Sequence, residues 1–179
     1  MFKAFDKFKK SSSSNLKLVI VGEKYYWTSD IKRTYINMQF KDDVVFTGRL
    51  STEELKNVIA SAMAMTYLPY FEGFGIPILE AMNCDVPVIT SNVTSMPEIA
   101  KDAALLVDPF SVDSMANAML YLYKDEDMRN ELIKKGRKRK LDFSWDKTAD
   151  ALWKSIEKSA TPSSQKALGQ LNVQKKQKE

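Results

Sequence analysis

The chain has 179 residues, 44% of them hydrophobic, and 27 basic against 23 acidic side chains leave a net charge of +4. That length suffices for one domain with a real core, and no apolar run approaches the ~20 residues of a membrane span. The absence of histidine and the single cysteine, Cys84, exclude a Ser-His-Asp triad, a Cys-His pair, an intrachain disulfide and any histidine or cysteine-cluster metal site. Chemistry must then rest on carboxylates, backbone donors or the substrate's own phosphate. Lys166, Lys175, Lys176 and Lys178 against Glu179 place most of the net charge in the tail, so the body is near neutral.

In chain order, residues 2–10 predict a helix, with Phe2, Phe5 and Phe8 at helical spacing. They are charged and amphipathic, unlike the apolar core of a signal peptide. A polar linker over 11–15 leads to a strand over 16–21, whose near-continuous apolarity implies a sheet covered on both faces. Ser29 or Asp30 is expected to cap a helix running to about Phe40. A second strand covers 44–47. Ser51 with Glu54 three residues on has the form of a capping box for a helix ending near Ser61. Strands over 63–68, 86–90 and 104–107 follow, separated by a helix over 77–84 and a short turn opened by Pro97. Helices over 112–123, 127–142 and 146–158 complete the pattern. Residues 161–179 are polar, rich in Gln and Lys, and read as a disordered tail after a domain spanning 1–160. Strands alternating with helices indicate an α/β fold with a doubly wound, Rossmann-like parallel sheet. Its ligand site lies beyond the carboxyl ends of the strands.

The densest information lies in the run from Phe71 to Met82, Phe-Glu-Gly-Phe-Gly-Ile-Pro-Ile-Leu-Glu-Ala-Met. Gly73 and Gly75 give a loop with little side-chain cover, and Pro77 suits the first turn of a helix, where its missing N–H costs nothing. Such a loop presents free backbone N–H groups to a phosphate. Two carboxylates, Glu72 and Glu80, sit there too and would repel a bare phosphate. Carboxylates accept from hydroxyls, and each can take a vicinal diol. Phosphate plus hydroxyls describes a nucleotide sugar, with a diol at each end.

These residues resemble the signature of retaining glycosyltransferases of family 4, of the GT-B type. The likeness extends over about 16–160, through Leu18 to Gly22, Val45 to Leu50, Val86 to Ser91, Pro97-Glu98 and Phe143-Ser144-Trp145, with Trp145 expected in the core. It implies that Glu72 is the catalytic-site carboxylate touching the donor sugar. Gly73, Phe74, Gly75 and Ile76 would lie against sugar and diphosphate, Glu80 would hold the ribose, and Gly48, Arg49 and Leu50 would meet the base. Residues 91–95 would border the donor pocket. Two departures stand out: Asp85 replaces a glycine common in the family, and the arginine and lysine that neutralise the diphosphate precede the helix that 2–10 resembles. The chain is therefore expected to be a carboxyl-terminal donor-binding domain without its first strand, inactive without an amino-terminal acceptor domain.

The resemblance implies transfer of a hexose from a UDP- or GDP-linked donor, with retention, to a glycan or lipid-linked acceptor in cell-surface polysaccharide synthesis. It implies no metal, no cofactor and a cytoplasmic location, peripheral at the inner membrane face. Glu72 would orient the sugar and Glu80 the ribose, neither acting as nucleophile. A hydrolytic pair of carboxylates finds no other support. A non-catalytic nucleotide-sugar-binding or regulatory module is the alternative. The run Lys134, Lys135, Arg137, Lys138, Arg139 and Lys140 reads first as a solvated helix face, then as a contact for anionic lipid. Nucleic acid is disfavoured because no aromatics are interleaved with it.

Overall fold

A computed structural model describes residues 1–24 and 27–160; the expected tail, 161–179, lies outside them. The chain divides into two compact units, Met1–Lys140 and Leu141–Glu179.

The first unit opens with α1 (Phe2–Ser12), followed by β1 (Leu18–Val21), α2 (Ser29–Ile36), β2 (Val44–Gly48), α3 (Thr52–Ala60), β3 (Met65–Tyr67) and α4 (Ile76–Asn83). It continues with β4 (Val88–Ser91), α5 (Met96–Ala100), β5 (Ala104–Val107), α6 (Val112–Lys124) and α7 (Glu126–Arg139). All strand pairs are parallel, in two ladders: β1 beside β2, and β3-β4-β5 in that order. Each connection between neighbouring strands carries a helix, as parallel pairing requires. β4 lies between β3 and β5, and all four of its residues are buried.

α1 ties the two ladders to one helical layer. Ala4 is buried in the cluster that holds Ile89, Val107, Met115 and Leu122. Phe5 and Phe8, on the same helix, are buried with Val44, against which Leu18, Ile20 and Phe46 pack. The expectation that β1 is covered on both faces is corrected: Leu18 and Ile20 are half-buried, but Val19 and Val21 are 44% and 38% exposed. Helix cover reaches one face of this ladder only, and Val45 of β2 is 37% exposed as well.

Local chemistry explains the element ends. Ser51 accepts from Glu54 N–H at 3.3 Å while Ser51 N–H donates to Glu54 Oε2 at 2.8 Å, so the capping box forms as expected. α2 is capped by Thr28 rather than Ser29 or Asp30, and it stops at Ile36 rather than Phe40. The N–H groups of Gln39 and Phe40 donate instead to the Asp6 carboxylate of α1, at 3.2 and 2.9 Å. α4 is capped by Cys84, and Asp85 takes the left-handed conformation just beyond it (φ 57). Arg137 of α7 grips Asp85 in a fork, with Nε to Oδ1 at 2.9 Å and an Nη–H to Oδ2 at 2.8 Å, holding the Asp85 carboxyl below its usual range. Next to it, Gly136 brings α7 so close to α4 that an added Cβ would lie 3.1 Å from Met82 Cγ.

In the second unit, α8 (Trp145–Ala160) starts where Ser144 Oγ accepts from Lys147 N–H at 3.1 Å. Trp145, expected in the core, is 81% exposed among the described residues.

Lys9 is the buried cation of the first unit, 4% exposed. It pairs with Asp43 at 2.7 Å and donates to the carbonyls of Ser14 and Leu16, fastening α1 to the chain entering β1. Lys9→Met keeps the stem but strands a carboxylate and two carbonyls. It is expected to cost about 3 kcal/mol, the scale for breaking a buried pair by removing one partner, read as a lower urea midpoint at unchanged slope.

Candidate functional site

β3 ends at Tyr67, opposite Thr90 of β4, and the chain then turns through the loop that carries Glu72. Gly75 closes this loop as the N-cap of α4 with φ 102, a conformation that a side chain strains. It is also packed: an added Cβ would lie 2.7 Å from Met96 Cε and 3.2 Å from its sulfur. Pro77 sits in the first turn as expected. Ile78, Ala81 and Met82 face the core, which places Ile76, Glu80 and Asn83 on the open side of α4, one turn apart.

Glu72 is half-buried, yet its carboxylate is tightly held. Tyr67 donates its hydroxyl to Oε2 at 2.6 Å, and Gly73 N–H donates to Oε1 at 3.2 Å. These donors, the tyrosine first, hold the Glu72 carboxyl below its ordinary range. Burial, followed by the hydrogen bond to the Glu72 carboxylate and its charge, pushes the Tyr67 phenol up to about 12. The loop backbone is pinned from the other side. Ser95 Oγ donates to the Glu72 carbonyl at 2.8 Å, with the Phe74 carbonyl 3.4 Å away as a second acceptor. Tyr67 lies outside the site residues singled out from the sequence, whereas Ser95 ends the 91–95 segment expected to border the donor pocket. No local spacing marks them, although both belong to strand-end segments that the alternation pattern places near the site.

The 73–76 backbone, expected to lie against sugar and diphosphate, divides in its hydrogen bonding. Gly73 N–H is spent on Glu72, and Phe74 contributes a backbone hydrogen bond to the same carboxylate. The N–H groups of Gly75 and Ile76 donate to no described residue. They open α4, whose dipole favours an anion there. Ile76 is 51% and Phe74 43% exposed.

Gly48, Arg49 and Leu50 follow β2, in the other ladder. Gly48 has φ 70, and its carbonyl accepts from Gly22 N–H at 2.9 Å. Arg49 is exposed and makes no hydrogen bond or ion pair with a described residue; Leu50 is half-buried. No hydrogen bond among the described residues joins this segment to the Glu72 loop. The structure therefore joins the 72–75 loop to the 91–95 segment through Ser95, whereas Gly48 to Leu50 stands apart at its own strand end.

The basic run is largely committed to the fold. Lys135 pairs with Glu131 at 2.6 Å and Asp102 at 3.6 Å, Arg137 with Asp85, and Arg139 donates to the carbonyls of Ile99 and Glu98. Lys134 and Lys138, one turn apart on α7, are exposed and make no hydrogen bond or ion pair with described residues. No described helix is long and apolar enough to cross a membrane.

Comparison with known proteins follows the same residues. The family model described as glycosyl transferases group 1 matches residues 1–139. The O-antigen chain mannosyltransferase B of Escherichia coli is 36% identical over 121 residues, covering 67% of this chain and 32% of that protein. The O-antigen chain mannosyltransferase RfbU of Salmonella typhimurium is 34% identical over 116 residues, 65% of this chain and 33% of that protein. The chain thus spans about a third of these curated relatives. Among solved structures, Anabaena HepE in complex with UDP and glucose superposes with a TM-score of 0.76 at 14% identity, over 88% of this chain and 44% of that one. The C-terminal domain of a glycosyl transferase group 1 family protein from Francisella tularensis gives 0.65 at 22%, over 77% and 74%. At such identities the structures establish the fold alone, and that fold is the GT-B glycosyltransferase one.

The loop geometry predicts that Gly75→Ala destabilises the protein by about 2 kcal/mol, because φ strain remains after Met96 moves aside. Urea unfolding measures the loss, and faster amide exchange in the first turn of α4 locates it.

Proposed function

The chain belongs to the glycosyl transferases group 1 family, and on that premise we propose that its first unit is the donor-binding part of a retaining hexosyltransferase. The donor is a UDP- or GDP-linked hexose. The observation that carries this reading is the Glu72 carboxylate, held ionised and oriented beside the open first turn of α4. Anionic acceptor and free amides together suit a ligand with hydroxyls on one part and a diphosphate on the next.

In this proposal Glu72 accepts from the hexose hydroxyls. The amides of Gly75 and Ile76 and the α4 dipole meet the diphosphate, where they stabilise charge developing on the leaving group. Glu80, one turn along the open side of α4, takes the ribose diol; Gly48, Arg49 and Leu50 meet the base. Glu72 orients the sugar and does not attack it. The acceptor is a growing glycan or lipid-linked saccharide of a surface polysaccharide, in keeping with the O-antigen relatives.

Transfer requires an acceptor domain, for which the relatives' greater length gives room. β1 and β3 each have one edge without a partner strand among the described residues, and Val19, Val21 and Val45 stay exposed. Both features fit a unit completed by further chain. The reaction places the protein in the cytoplasm, where nucleotide sugars are supplied. Peripheral contact with an anionic inner membrane face would fall to Lys134 and Lys138, since Arg137 and Arg139 are engaged in the fold.

Two measurements test these points. Ligand-observed NMR with UDP, GDP, ADP and their hexose conjugates should show one nucleotide series binding weakly to the chain, and Glu80→Ala should weaken it further. A folded chain that binds none overturns the reading. Co-sedimentation with anionic vesicles should fall with salt and with Lys134→Glu plus Lys138→Glu. Absent or salt-insensitive binding removes the membrane contact.

A further inference from the structure

We infer that Tyr67 is a positioning residue for the sugar half of the donor, fixing the Glu72 carboxylate in one orientation and leaving the nucleotide half untouched. This rests on the reading of Glu72 given above.

The geometry comes from three separate elements. Tyr67 is the last residue of β3, its backbone locked opposite Thr90 of β4. Its hydroxyl lies 2.6 Å from Glu72 Oε2, a short contact of the charge-assisted kind. Gly73 N–H takes Oε1. With the Phe74 backbone as a third donor, the carboxylate accepts three hydrogen bonds from the protein and keeps lone-pair capacity for a ligand hydroxyl. Ser95, from the segment after β4, holds the Glu72 and Phe74 carbonyls, so backbone and carboxylate are fixed independently.

Fold stability alone does not call for this arrangement. The exposed Asp85 is gripped by a cation, Arg137, joining two helices. Glu72 has no ion pair among the described residues, and its side-chain partners, Tyr67 and the loop's own backbone, lie within five residues of it in the chain. An uncompensated carboxylate, half-exposed and tethered by donors, is poised to bind hydroxyls. Tyr67 serves because its phenol, pushed up to about 12, remains a donor throughout the physiological range. A free glutamate would have to give up rotamer freedom on binding; the tether removes that cost in advance.

The consequence is selective. Loss of the hydroxyl should weaken the hexose conjugate and spare the free nucleoside diphosphate, because Glu80, Gly75 and Ile76 are untouched. It should also let Glu72 titrate closer to the ordinary 4.5. A carboxylate with a depressed value keeps its charge above that value and loses it only as pH falls through the lowered one. Preference for the conjugate therefore persists to lower pH in the wild type than in a Tyr67→Phe variant.

The test uses the 179-residue chain and its Tyr67→Phe and Glu80→Ala variants, with UDP, GDP and their hexose conjugates as probes. NMR supplies both the affinities and the carboxylate titration of Glu72. Expected for Tyr67→Phe is a loss of about tenfold in the ratio of conjugate to free-nucleotide affinity, unchanged nucleotide affinity and a raised Glu72 midpoint. Glu80→Ala should weaken both ligands with the midpoint unmoved. An unmoved midpoint in Tyr67→Phe overturns the inference, and so does a moved midpoint with an unchanged affinity ratio, which would make the contact purely structural. If wild type binds neither ligand class, the donor-site reading itself fails and this inference falls with it.

Discussion

The site depends on one constraint: a carboxylate must stay charged and still at the edge of a sheet without a cation to hold it. Glu72 meets this through hydrogen bonds. Tyr67 reaches it from the end of β3, and the loop's own amides curl back onto it. A cation there would neutralise the acceptor that a sugar hydroxyl needs. Donors without charge hold the group and leave it anionic, and they lower its proton affinity at the same time. The cost is that the amides of Gly73 and Phe74 are used up, which leaves those of Gly75 and Ile76 without a partner among the described residues at the start of α4.

The remainder of the unit holds that loop and helix in place. Gly75 lets the chain pass Met96 with φ 102, where any side chain would push the loop away. Ser95 draws the loop to the segment after β4, whose strand is buried along its whole length. α4, which carries Glu80, is fixed at its far end by the Asp85–Arg137 fork and by the close approach of Gly136 to Met82. Asp85 thus makes the left-handed turn that a glycine would make. Its short side chain tolerates the left-handed conformation, and its charge recruits α7.

The two ladders differ in how completely they are covered. β4, central in its ladder, is fully buried and its neighbour β5 exposes Leu106, whereas β1 and β2, both outer strands, leave Val19, Val21 and Val45 exposed. The difference follows from α1: Ala4 packs with the β4 cluster and Phe5 and Phe8 with Val44, so a single helix serves both ladders on one side.

The sequence by itself determined what rests on local periodicity and local hydrogen bonding. It placed the alternating strands and helices, the Ser51–Glu54 capping box, the helix opened at Pro77, and the two glutamates on a glycine loop and its helix. Each depends on residues within about two helical turns, so spacing is enough. Tertiary structure alone decided the rest. It truncated α2 by lending Asp6 to Gln39 and Phe40, tied the Glu72 loop to Ser95, and turned Arg137 and Arg139 from a basic face into clasps on Asp85 and on the carbonyls of Glu98 and Ile99. It also left one face of β1 bare. Those outcomes join residues tens of positions apart, and one-dimensional spacing carries no information about which distant donor meets which acceptor. Even Tyr67 and Glu72, five positions apart, met only because a strand ended at one and a strained glycine turned the chain after the other.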